Sequence, residues 1–400
     1  MRIQARTAKS AFWYEVRDVA AIPSPALLVY RDRVEENLRQ MLAMAGGPER
    51  LRPHIKTHKM SEMLGLQLQL GVTKFKCATL AEAEMAARAG ATDLLLAYQP
   101  VGPSVEGVAA LVKAFRRTSF SVICDDAGVL GELSKTMRTL PLAKNGSGNK
   151  AQLQVLLDLD VGQHRTGVAP GKKAFELYRL LASLPGLRAG GLHAYDGHIG
   201  DSDPAARTAA CAAAFTPVLA FWKQLSTEGL PVPRLVAGGT PTFPMHARHS
   251  DRECSPGTCV FWDASYASRF SEMPFVAAAL VLTRVVSKPG PNLLCLDLGH
   301  KAIASEMPQP RVEFLNLKDA TAVTHSEEHL VVETAQAADF ELGDCLYGVP
   351  RHICPTVALH AEAVVIEDGK RTGCWRVVAR DRRVKTERFE GGKVGRRKVK

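Results

Sequence analysis

The feature that most constrains the fold of this chain is a repeated alternation of short apolar runs with amphipathic segments. The strand-like runs, most of them followed by a stretch with helical spacing of its apolar residues, are PALLVY (25–30), KFKCAT (74–79), DLLLAY (93–98), FSVICDD (120–126), LQVLLDLDV (153–161), GLHAYDG (191–197) and RLVAGG (234–239). This alternation predicts parallel strands joined by crossover helices. About eight such units within roughly 240 residues favour a closed (β/α)8 TIM-type barrel over an open sheet.

The pattern changes after about residue 265, where β-rich runs such as FVAAALVLTRVVSKPG and HLVVETAQ are separated by Gly, Pro, Asp and Asn. We therefore predict an α/β barrel domain over residues 24–264. A second, mostly β domain is predicted over residues 265–381, together with residues 1–23. Residues 382–400 form a basic tail, and KNGSGNK (144–150) is a polar loop between barrel units.

The composition, 46% hydrophobic and 23% charged, is typical of a soluble globular protein. No apolar run approaches the length of a membrane span, and the start MRIQARTAKSAFWYEV lacks the apolar core of a signal peptide. Nine cysteines without a CxxC pair indicate buried thiols and not a disulfide framework, so we predict a cytoplasmic protein. The last twenty residues carry nine Lys/Arg and three Asp/Glu. We interpret them as a solvated tail, and the alternative is a nucleic-acid-binding role.

The stretch RPHIKTHKM (52–60) concentrates Arg52, His54, Lys56, His58 and Lys59 between two helix-like segments. A lysine with neighbouring cations can have a lowered pKa and become a usable amine nucleophile. This context makes Lys56 a candidate nucleophile. The alternative is that it is a solvated surface lysine, as most lysines are.

Two other candidate sites follow strand-like runs, which is where barrel enzymes place their chemistry. In LDLDVGQHRTG (157–167), Arg165 can hydrogen-bond an anionic oxygen of a cofactor or substrate, because its guanidinium stays charged. In VAGGTPTF (236–243), Gly238, Gly239 and Thr240 can bind a phosphate through backbone N–H groups and a hydroxyl. The missing GxGxxG and GxxxxGK[ST] spacings argue against dinucleotides and nucleoside triphosphates. Ordinary strand ends and turns are the alternative interpretation of both.

His352 and Cys354, in YGVPRHICPTVALH (347–360), are a candidate metal-binding pair. We expect extended chain here, in which side chains two residues apart emerge on one face and can share an ion. A single His-x-Cys is a weak pattern, and a structural role is the alternative.

Together these segments resemble the fold-type III pyridoxal phosphate enzymes of the D-threonine aldolase and D-serine dehydratase family, whose barrel is similar to the N-terminal domain of alanine racemase. The resemblance covers nearly the whole chain, from PALLVY to WRVVARD. The matching motifs, in the family's order, are RPHIKTHK, DVGQHRTG, AGGTPT, SPGTCVFWDASY (255–266), DLGHKAIASE (297–306) and PRHICPTVALH (350–360).

The resemblance implies a role for each candidate residue. Lys56 would carry pyridoxal phosphate covalently as a Schiff base, and Arg165 would hydrogen-bond near its phenolic oxygen. His352 and Cys354 would bind a divalent metal facing the cofactor across the domain interface or, as is common in this fold type, across a dimer interface. The substrate would be a small D-amino acid, and the protein a homodimer. The cofactor-binding residues implied are Lys56, Arg165, Tyr195, Gly238, Gly239 and Thr240.

The chain departs from the family pattern in two places. The aldolases typically have His-x-Asp at the metal position, whereas this chain has His-x-Cys, as in the dehydratases. A thiolate favours Zn²⁺, while a carboxylate suits Mn²⁺ or Mg²⁺. The flanking PTVALH, however, is more similar to the aldolases. The aldolases also place a histidine after a Tyr-His-Gly turn, and here HAYDGHIGD offers His198 in a different register. We take His198 as the candidate general base, and a structural or substrate-positioning role as its alternative.

We therefore predict a lyase that depends on pyridoxal phosphate and a divalent metal and acts on β-hydroxy D-amino acids. Retro-aldol cleavage to glycine and an aldehyde is placed ahead of dehydration to pyruvate and ammonia. An amino-acid racemase and a non-catalytic pyridoxal phosphate carrier are further alternatives. No membrane or nucleic-acid partner is expected.

Overall fold

The computed structural model of the chain describes residues 12–140, 152–382 and 384. Most of the predicted basic tail, and the loop KNGSGNK, lie outside the described residues. The helices are α1 (Arg31–Ala45), α2 (Ser61–Gln69), α3 (Leu80–Arg88), α4 (Pro103–Ala114), α5 (Ala127–Thr139), α6 (Lys172–Ser183), α7 (Pro204–Thr227), α8 (Phe243–Ala247), α9 (Ala264–Arg269) and α10 (Ile353–Leu359). The strands are β1 (Ala26–Tyr30), β2 (Lys74–Cys77), β3 (Asp93–Leu96), β4 (Ser119–Cys124), β5 (Leu153–Leu159), β6 (Leu187–Ala194), β7 (Leu235–Ala237), β8 (Arg252–Cys254), β9 (Ala279–Gly290), β10 (Leu293–Leu296), β11 (Val312–Phe314), β12 (Thr321–His325), β13 (Leu330–Glu333), β14 (Cys345–Pro350), β15 (Glu362–Glu367) and β16 (Lys370–Arg376).

These elements fall into two compact units. The barrel unit comprises the described residues of Leu42–Gly257 and Val378–Lys400, and the β unit those of Met1–Met41 and Thr258–Val377. Each unit is described by itself.

The barrel unit contains a parallel sheet in which strands β2 to β8 pair in sequence order. The segment from Leu51 to His54 occupies the remaining place, because Leu51 bridges Cys254 of β8 and His54 bridges Lys76 of β2, both in parallel. The Arg52 amide donates to the Cys254 carbonyl at 2.8 Å, and the Lys76 amide donates to the Pro53 carbonyl at 2.9 Å. The predicted TIM-type barrel is thus confirmed, with seven regular strands and one short closing segment.

Local sequence signals account for the helix starts in this unit. Thr79 accepts a hydrogen bond from the Glu82 amide at 3.2 Å, and the Glu82 carboxylate accepts from the Ala78 amide at 2.6 Å. This pairing is a variant of the capping box of a T-x-x-E sequence, because the glutamate accepts from the amide of the residue before the N-cap residue Thr79. Asp126 and Asp203 cap α5 and α7 by accepting hydrogen bonds from backbone amides of the first helical turn.

A network of buried charges joins the amino ends of the barrel strands. Arg52, fully buried, donates to Asp93 at 2.9 Å and 3.0 Å and to Glu253 at 2.7 Å. Lys74 pairs with Glu253 at 2.7 Å, and Arg234 pairs with Asp93 at 3.0 Å. Burial opposes these charges, but the ion pairs prevail and hold the pKa of both carboxyls below the ordinary range. Charge pairs at this end of a barrel serve stability, because chemistry occurs at the other end.

The first strand was assigned to the wrong sheet by the sequence pattern. The run PALLVY was expected to begin the barrel, but β1 lies in the β unit, antiparallel to β9 and parallel to β15. Four of its five residues are buried, and α1 follows it directly. An apolar strand followed by a helix is the pattern of a barrel unit, and this pattern does not reveal which strands pair with it.

The β unit is built on a nine-stranded mixed sheet, as predicted for a mostly β domain. Its path runs β12-β13-β10-β9-β1-β15-β16, and β14 pairs with both β9 and β11. One cluster of buried residues, including Leu294, Phe314 and Leu346, forms a core of this unit. A second cluster contains Tyr14, Leu280 and Tyr347.

Among the described residues, one helix is long and apolar enough to cross a membrane by length and composition. This is α7, with a mean hydropathy of 1.2, and the sequence analysis did not anticipate it. Its buried residues recur every three to four positions, including Cys211, Phe215, Val218 and Phe221. The helix follows β6 and precedes β7, which is the position of a barrel crossover helix.

Candidate active site

The barrel unit has a cavity of about 540 Å³ at the carboxyl ends of its strands. This is the end at which barrel enzymes bind substrates. The cavity lining is rich in ionisable groups, among them Lys56, Lys76, Asp158, Arg165, His193 and Tyr195. Of the predicted cofactor-binding residues, the cavity therefore gathers Lys56, Arg165 and Tyr195.

The stretch RPHIKTHKM divides its charges between several tasks. Lys56 lies in the 3-10 turn Ile55–Thr57, directly after the closing segment, and reaches the cavity. Its backbone amide donates to His54 Nδ1 at 3.4 Å. Burial, followed by the charge of Lys56, holds the pKa of His54 well below its ordinary value. Lys59 is paired with the buried Glu82, and burial lowers the pKa of His58 to about 3. Of the three basic residues Arg52, Lys56 and Lys59, only Lys56 lines the cavity.

Arg165 stands beside the aromatic ring of Tyr195, with 5.2 Å between its guanidinium carbon and the ring centroid. The loop that carries Arg165 is fixed by the Asp160 carboxylate, which accepts from the amides of Gly162 at 2.9 Å and His164 at 3.0 Å. These contacts hold the turn after β5 in shape without using the arginine itself.

The glycine turn after β7 requires residues without side chains. Gly238 has φ +73°, and a Cβ there would lie 2.3 Å from Cδ2 of His246. A Cβ at Gly239 would lie 2.9 Å from the Tyr195 ring, so this turn packs directly against the aromatic side chain. Thr240 accepts a hydrogen bond from the Gly257 amide at 3.0 Å. The predicted phosphate-binding turn is thereby tied to the segment after β8.

A relay of buried hydrogen bonds, which runs from Arg252 through His246 and Asp196 to Thr242, supports the glycine turn after β7. Arg252 lies 3.0 Å from His246 Nδ1, and His246 Nε2 lies 2.8 Å from Asp196 Oδ2. Because arginine can only donate, Nδ1 accepts and Nε2 carries the proton that it donates to Asp196. Asp196 Oδ1 accepts from the Thr242 hydroxyl at 2.8 Å, and Thr242 accepts from the Gly239 amide at 3.4 Å.

The residues Asp196, Cys211 and His246 are close enough to share a metal ion. The relay, however, already uses the His246 and Asp196 atoms that would ligate it. An ion at His246 Nε2 would require the ring proton to move to Nδ1, where the Arg252 guanidinium donates. Burial also raises the pKa of Cys211 to about 12, which keeps it a thiol. The hydrogen bonds account for this triad without an ion.

Lys76 is a cavity residue that the sequence analysis missed. It is 2% exposed, and its ammonium nitrogen lies 5.2 Å from the Tyr195 ring centroid. Within the described part of the chain it has no ion-pair partner within 4 Å. Burial, followed by the charge of Lys56, lowers the pKa of Lys76 to about 7. The available signal was a lysine inside the short strand KFKC, where it alternates with two buried apolar residues.

Asp158 and His193 form a buried pair across β5 and β6, with 2.6 Å between Oδ1 and Nδ1. Burial would raise the pKa of Asp158, but the charge and hydrogen bond of His193 lower it. Burial and the charge of Lys76 lower the pKa of His193. His193 Nε2 and the hydroxyl of Ser255 are both buried, and neither has a hydrogen-bond partner among the described residues. Orphaned polar atoms of this kind are rare in folded proteins and indicate a missing ligand or water.

His198, the predicted general base, is exposed and does not belong to the cavity lining. Its ring packs over Gly162, where a Cβ would lie 3.1 Å from His198 Nε2. Its catalytic role therefore remains a prediction that the cavity geometry does not support.

The predicted metal pair lies in the β unit, and its backbone is not the extended chain that we expected. His352 is the residue before α10, and Cys354 lies within the first turn of that helix. The helix forms because the Asp263 carboxylate accepts from the Ile353 amide at 3.1 Å, which satisfies a free donor at the helix start. His352 Nδ1 lies 2.5 Å from Glu306 Oε1, and the Thr258 hydroxyl lies 3.6 Å from the Cys354 sulfur.

Residues 29–265 match the family model described as alanine racemase, N-terminal domain, and residues 278–366 match the putative serine dehydratase domain. D-threonine aldolase of Arthrobacter sp is 32% identical over 370 residues, which is 90% of this chain and 94% of that protein. The chain belongs to the D-threonine aldolase family. The 3-hydroxy-D-aspartate aldolase of Paracoccus denitrificans (strain Pd 1222) is 29% identical over 91% of this chain and 93% of its own length. The crystal structure of D-threonine aldolase from Filomicrobium marinum superposes with a TM-score of 0.82 at 28% identity, covering 91% of this chain and 97% of that one.

These likenesses confirm the predicted family, its fold and its enzyme class, a pyridoxal phosphate-dependent lyase. The cavity of this D-threonine aldolase family member fits the cofactor. Its lining offers an amine at Lys56, a guanidinium at Arg165 and an aromatic ring at Tyr195. The unpaired Nε2 of His193, which also lines the cavity, is a further polar atom that a bound cofactor would satisfy.

The metal pair of the β unit also fits its expected ligand. Imidazole and thiolate are both donors that Zn²⁺ accepts. Although burial opposes it, the hydrogen bonds of Cys354 and Glu306 raise the pKa of His352 to about 9, so a metal ion bound there would displace a proton from the ring.

Proposed function

We propose that this chain is a lyase that uses pyridoxal phosphate and a divalent metal to cleave β-hydroxy D-amino acids into glycine and an aldehyde. One observation carries the proposal: two amines, Lys56 and Lys76, line one cavity together with Arg165 and Tyr195 at the carboxyl ends of the barrel strands. The family's relatives named above are aldolases of D-threonine and 3-hydroxy-D-aspartate, which supports this choice of substrate class.

Lys56 would hold the cofactor covalently through Nζ, and Arg165 would orient it by donating to an anionic oxygen. The turn Gly238–Gly239–Thr240 would border the phosphate. The amides of Gly238 and Gly239 already donate to the Ala194 carbonyl at 2.9 Å and to the Thr242 hydroxyl at 3.4 Å, so these glycines would contribute close approach of the backbone. Tyr195, packed against Gly239, would lie beside the aromatic ring of the cofactor. Pyridoxal phosphate supplies an electron sink for the electron pair left at Cα when a bond to it breaks.

The retro-aldol reaction also needs a group that accepts the β-hydroxyl proton. That proton leaves the oxygen, the Cα–Cβ bond breaks, and a proton is later returned to Cα to give glycine. We propose Lys76 Nζ as the acceptor, because it lines the cavity whereas His198 does not. A base is most effective when its pKa lies near the working pH, and the pKa of Lys76 is about 7.

His352 and Cys354 would bind the divalent metal, and this donor set favours zinc, with manganese or magnesium as alternatives. A divalent metal acts as a Lewis acid that makes a hydroxyl oxygen more acidic. The exposed ring of His352 and its neighbour Cys354 would hold the ion in the β unit.

Dehydration of D-serine to pyruvate and ammonia is the second candidate function. It is favoured by the thiol at Cys354 and by the match of residues 278–366 to a putative serine dehydratase domain. Racemisation and non-catalytic cofactor carriage remain further alternatives. A homodimer and a cytoplasmic location also remain proposals, and light scattering of the purified protein would test the first.

The experiment is to incubate the purified protein, loaded with pyridoxal phosphate and Zn²⁺ or Mn²⁺, with D-threonine, L-threonine and D-serine. Glycine and acetaldehyde from D-threonine support the aldolase, and pyruvate and ammonia from D-serine support the dehydratase. Lys56→Ala should lose the absorbance of lysine-bound cofactor. An unchanged absorbance in Lys56→Ala would refute the proposed anchor, and no product from any substrate would refute the lyase.

The role of Lys76 is tested by Lys76→Ala and by its neighbour Lys74→Ala on the same strand. We expect turnover by Lys76→Ala to fall by about 100-fold or more, since general-base catalysis is worth that much. Added methylamine should restore part of it, while Lys74→Ala should turn over normally. A Lys76→Ala enzyme with unchanged turnover and an unchanged pH profile would return His198 to first place.

A further inference from the structure

The segment between β10 and β11 carries a carboxylate, Glu306, that contacts the candidate metal-binding histidine. Its motif, DLGHKAIASE, matched the family in the sequence, but neither the sequence nor the proposed function gives Glu306 a role. Glu306 Oε1 lies 2.5 Å from Nδ1 of His352. The contact occupies one of the two nitrogens of the imidazole ring.

We infer that Glu306 is a positioning residue that orients His352 for metal binding by holding the proton on Nδ1. This inference rests on the proposed function, because it takes His352 and Cys354 as the metal ligands. A carboxylate oxygen can only accept here, so in the neutral ring that binds a metal the proton stays on Nδ1 and the lone pair is left on Nε2. Ligating histidines commonly donate their second ring N–H to a carboxylate in this way, which fixes both tautomer and ring orientation.

The scaffold holds Glu306 in place, which distinguishes it from a chance surface pair. The backbone amide of Ala304 donates to the Thr356 hydroxyl at 3.1 Å, and that hydroxyl donates to the His352 carbonyl at 2.8 Å. His360 Nε2 lies 2.8 Å from the Ala302 carbonyl. The segment before Glu306 is thus fastened to both ends of α10, whose start carries the metal pair.

The exposure of the pair argues against a role in stability. The side chain of His352 is 42% exposed and that of Glu306 is 48% exposed. A pair this accessible to water contributes little to folding. The contact matters for metal binding, because a metal ion requires the His352 ring to present one nitrogen in one fixed direction.

Two further contacts restrict Cys354 and the backbone between the two candidate metal ligands. Thr258 lies 3.6 Å from the Cys354 sulfur, and the buried Asp263 accepts from the amide of Ile353, between the two ligands. Residues 352, 353 and 354 therefore each have an orienting partner among Glu306, Asp263 and Thr258. Of these three partners, Glu306 is the one that hydrogen-bonds the imidazole, which also interacts with Cys354.

The test is a titration of the cofactor-loaded protein with Co²⁺, followed by the thiolate-to-cobalt absorption that Cys354 would give, with affinities from chelator competition. We expect Glu306→Ala to weaken Co²⁺ and Zn²⁺ binding by about 10- to 100-fold. Glu306→Gln, which keeps an acceptor but loses the charge, should lie between wild type and Glu306→Ala. Glu313→Ala, an exposed glutamate on β11, is the matched control and should bind metal as wild type does.

Two outcomes would overturn the inference. One is an affinity of Glu306→Ala within about twofold of wild type, well short of the outer-shell effect. The other is complete loss of the cobalt absorption, as in His352→Ala, which would make Glu306 a direct ligand. The proposed function fails separately: a wild-type enzyme that releases no product from any substrate, while Glu306→Ala weakens metal binding as expected, refutes the lyase and leaves this role standing.

Discussion

Replacing Lys76 by methionine should stabilise the fold while it removes a functional group. Lys76 is 2% exposed and has no ion-pair partner within 4 Å among the described residues, so its charged form is poorly solvated. Burial, followed by the charge of Lys56, lowers the pKa of its ammonium from 10.5 to about 7. Methionine has a similar length and gains from burial in the same space.

The magnitude follows from the difference in pKa between the unfolded and folded chain. At pH 7 the unfolded lysine is fully protonated and the folded one is half protonated, which costs the folded state about 4 kcal/mol. The sign is that of a lowered lysine pKa: the cost is complete below pH 7 and disappears as the pH rises through 10.5. At pH 10 the remaining cost is below about 1 kcal/mol.

Urea denaturation of the cofactor-free protein, followed by tryptophan fluorescence, measures this difference. We expect Lys76→Met to be more stable than wild type by about 2–4 kcal/mol at pH 7, with most of the gain lost at pH 10. Lys74→Met is the control on the same strand: it breaks an ion pair with Glu253 at 2.7 Å and should be less stable by about 1 kcal/mol or less. A Lys76→Met protein no more stable than wild type at pH 7, or equally stabilised at both pH values, would refute the reasoning.

Three further substitutions test other parts of the barrel unit. Arg52→Met leaves two partly buried carboxylates short of a partner and should lower the free energy of unfolding by about 3 kcal/mol. Arg39→Met, at an exposed pair, should change it by less than about 1 kcal/mol in the same urea assay. His58→Asn keeps a hydrogen-bond acceptor but cannot bind a proton. Because the pKa of His58 is lowered to about 3, protonation of the unfolded chain destabilises the folded state as the pH falls below 6.5. The substitution should therefore raise the free energy of unfolding by about 2 kcal/mol at pH 5 and leave it unchanged at pH 8. His329→Asn, at an exposed histidine, should show no such pH-dependent gain. Asp196→Asn breaks the relay under the glycine turn and should weaken pyridoxal phosphate binding by about 10- to 100-fold in equilibrium dialysis; an unchanged affinity would show that the relay does not shape the phosphate site.

The order of the barrel strands β2 to β8 and the positions of their ends were predictable because the relevant signals are local. The apolar runs and their helices indicated a barrel, and residues at the carboxyl ends of parallel strands must converge. Arg165 was proposed in this way, whereas Lys56 was proposed from the basic residues around it, and both line the cavity. The same reasoning proposed His198, which is exposed and lies outside the cavity lining, and its role stays a prediction, because the direction of a loop side chain is not fixed by strand position.

What could not be predicted depends on contacts between distant parts of the chain. The place of β1 was decided by partners on β9 and β15, about 250 and 330 residues later. The role of Arg52 needed Asp93 and Glu253, which lie 41 and 201 residues away. Glu306 meets His352 across 46 residues. A charged residue in a sequence does not disclose its partner, and its partner decides whether it is structural or reactive.

Among the described residues, a buried cation is ion-paired at the amino end of the barrel and unpaired at the carboxyl end. This contrast is the strongest argument for a catalytic role of Lys76. At the amino end, Arg52 is fully buried and is neutralised by two carboxylates, so its charge costs little. At the carboxyl end, Lys76 is equally buried but is left without an ion pair within the described residues. The ion pairs of Arg52 show that this barrel can accommodate a buried cation together with its counter-charges. An apolar residue at position 76 would also avoid the cost of the buried amine. Retaining an unpaired amine in the cavity at a cost of about 4 kcal/mol is explained if the amine takes part in the chemistry, since active sites commonly sacrifice stability for function.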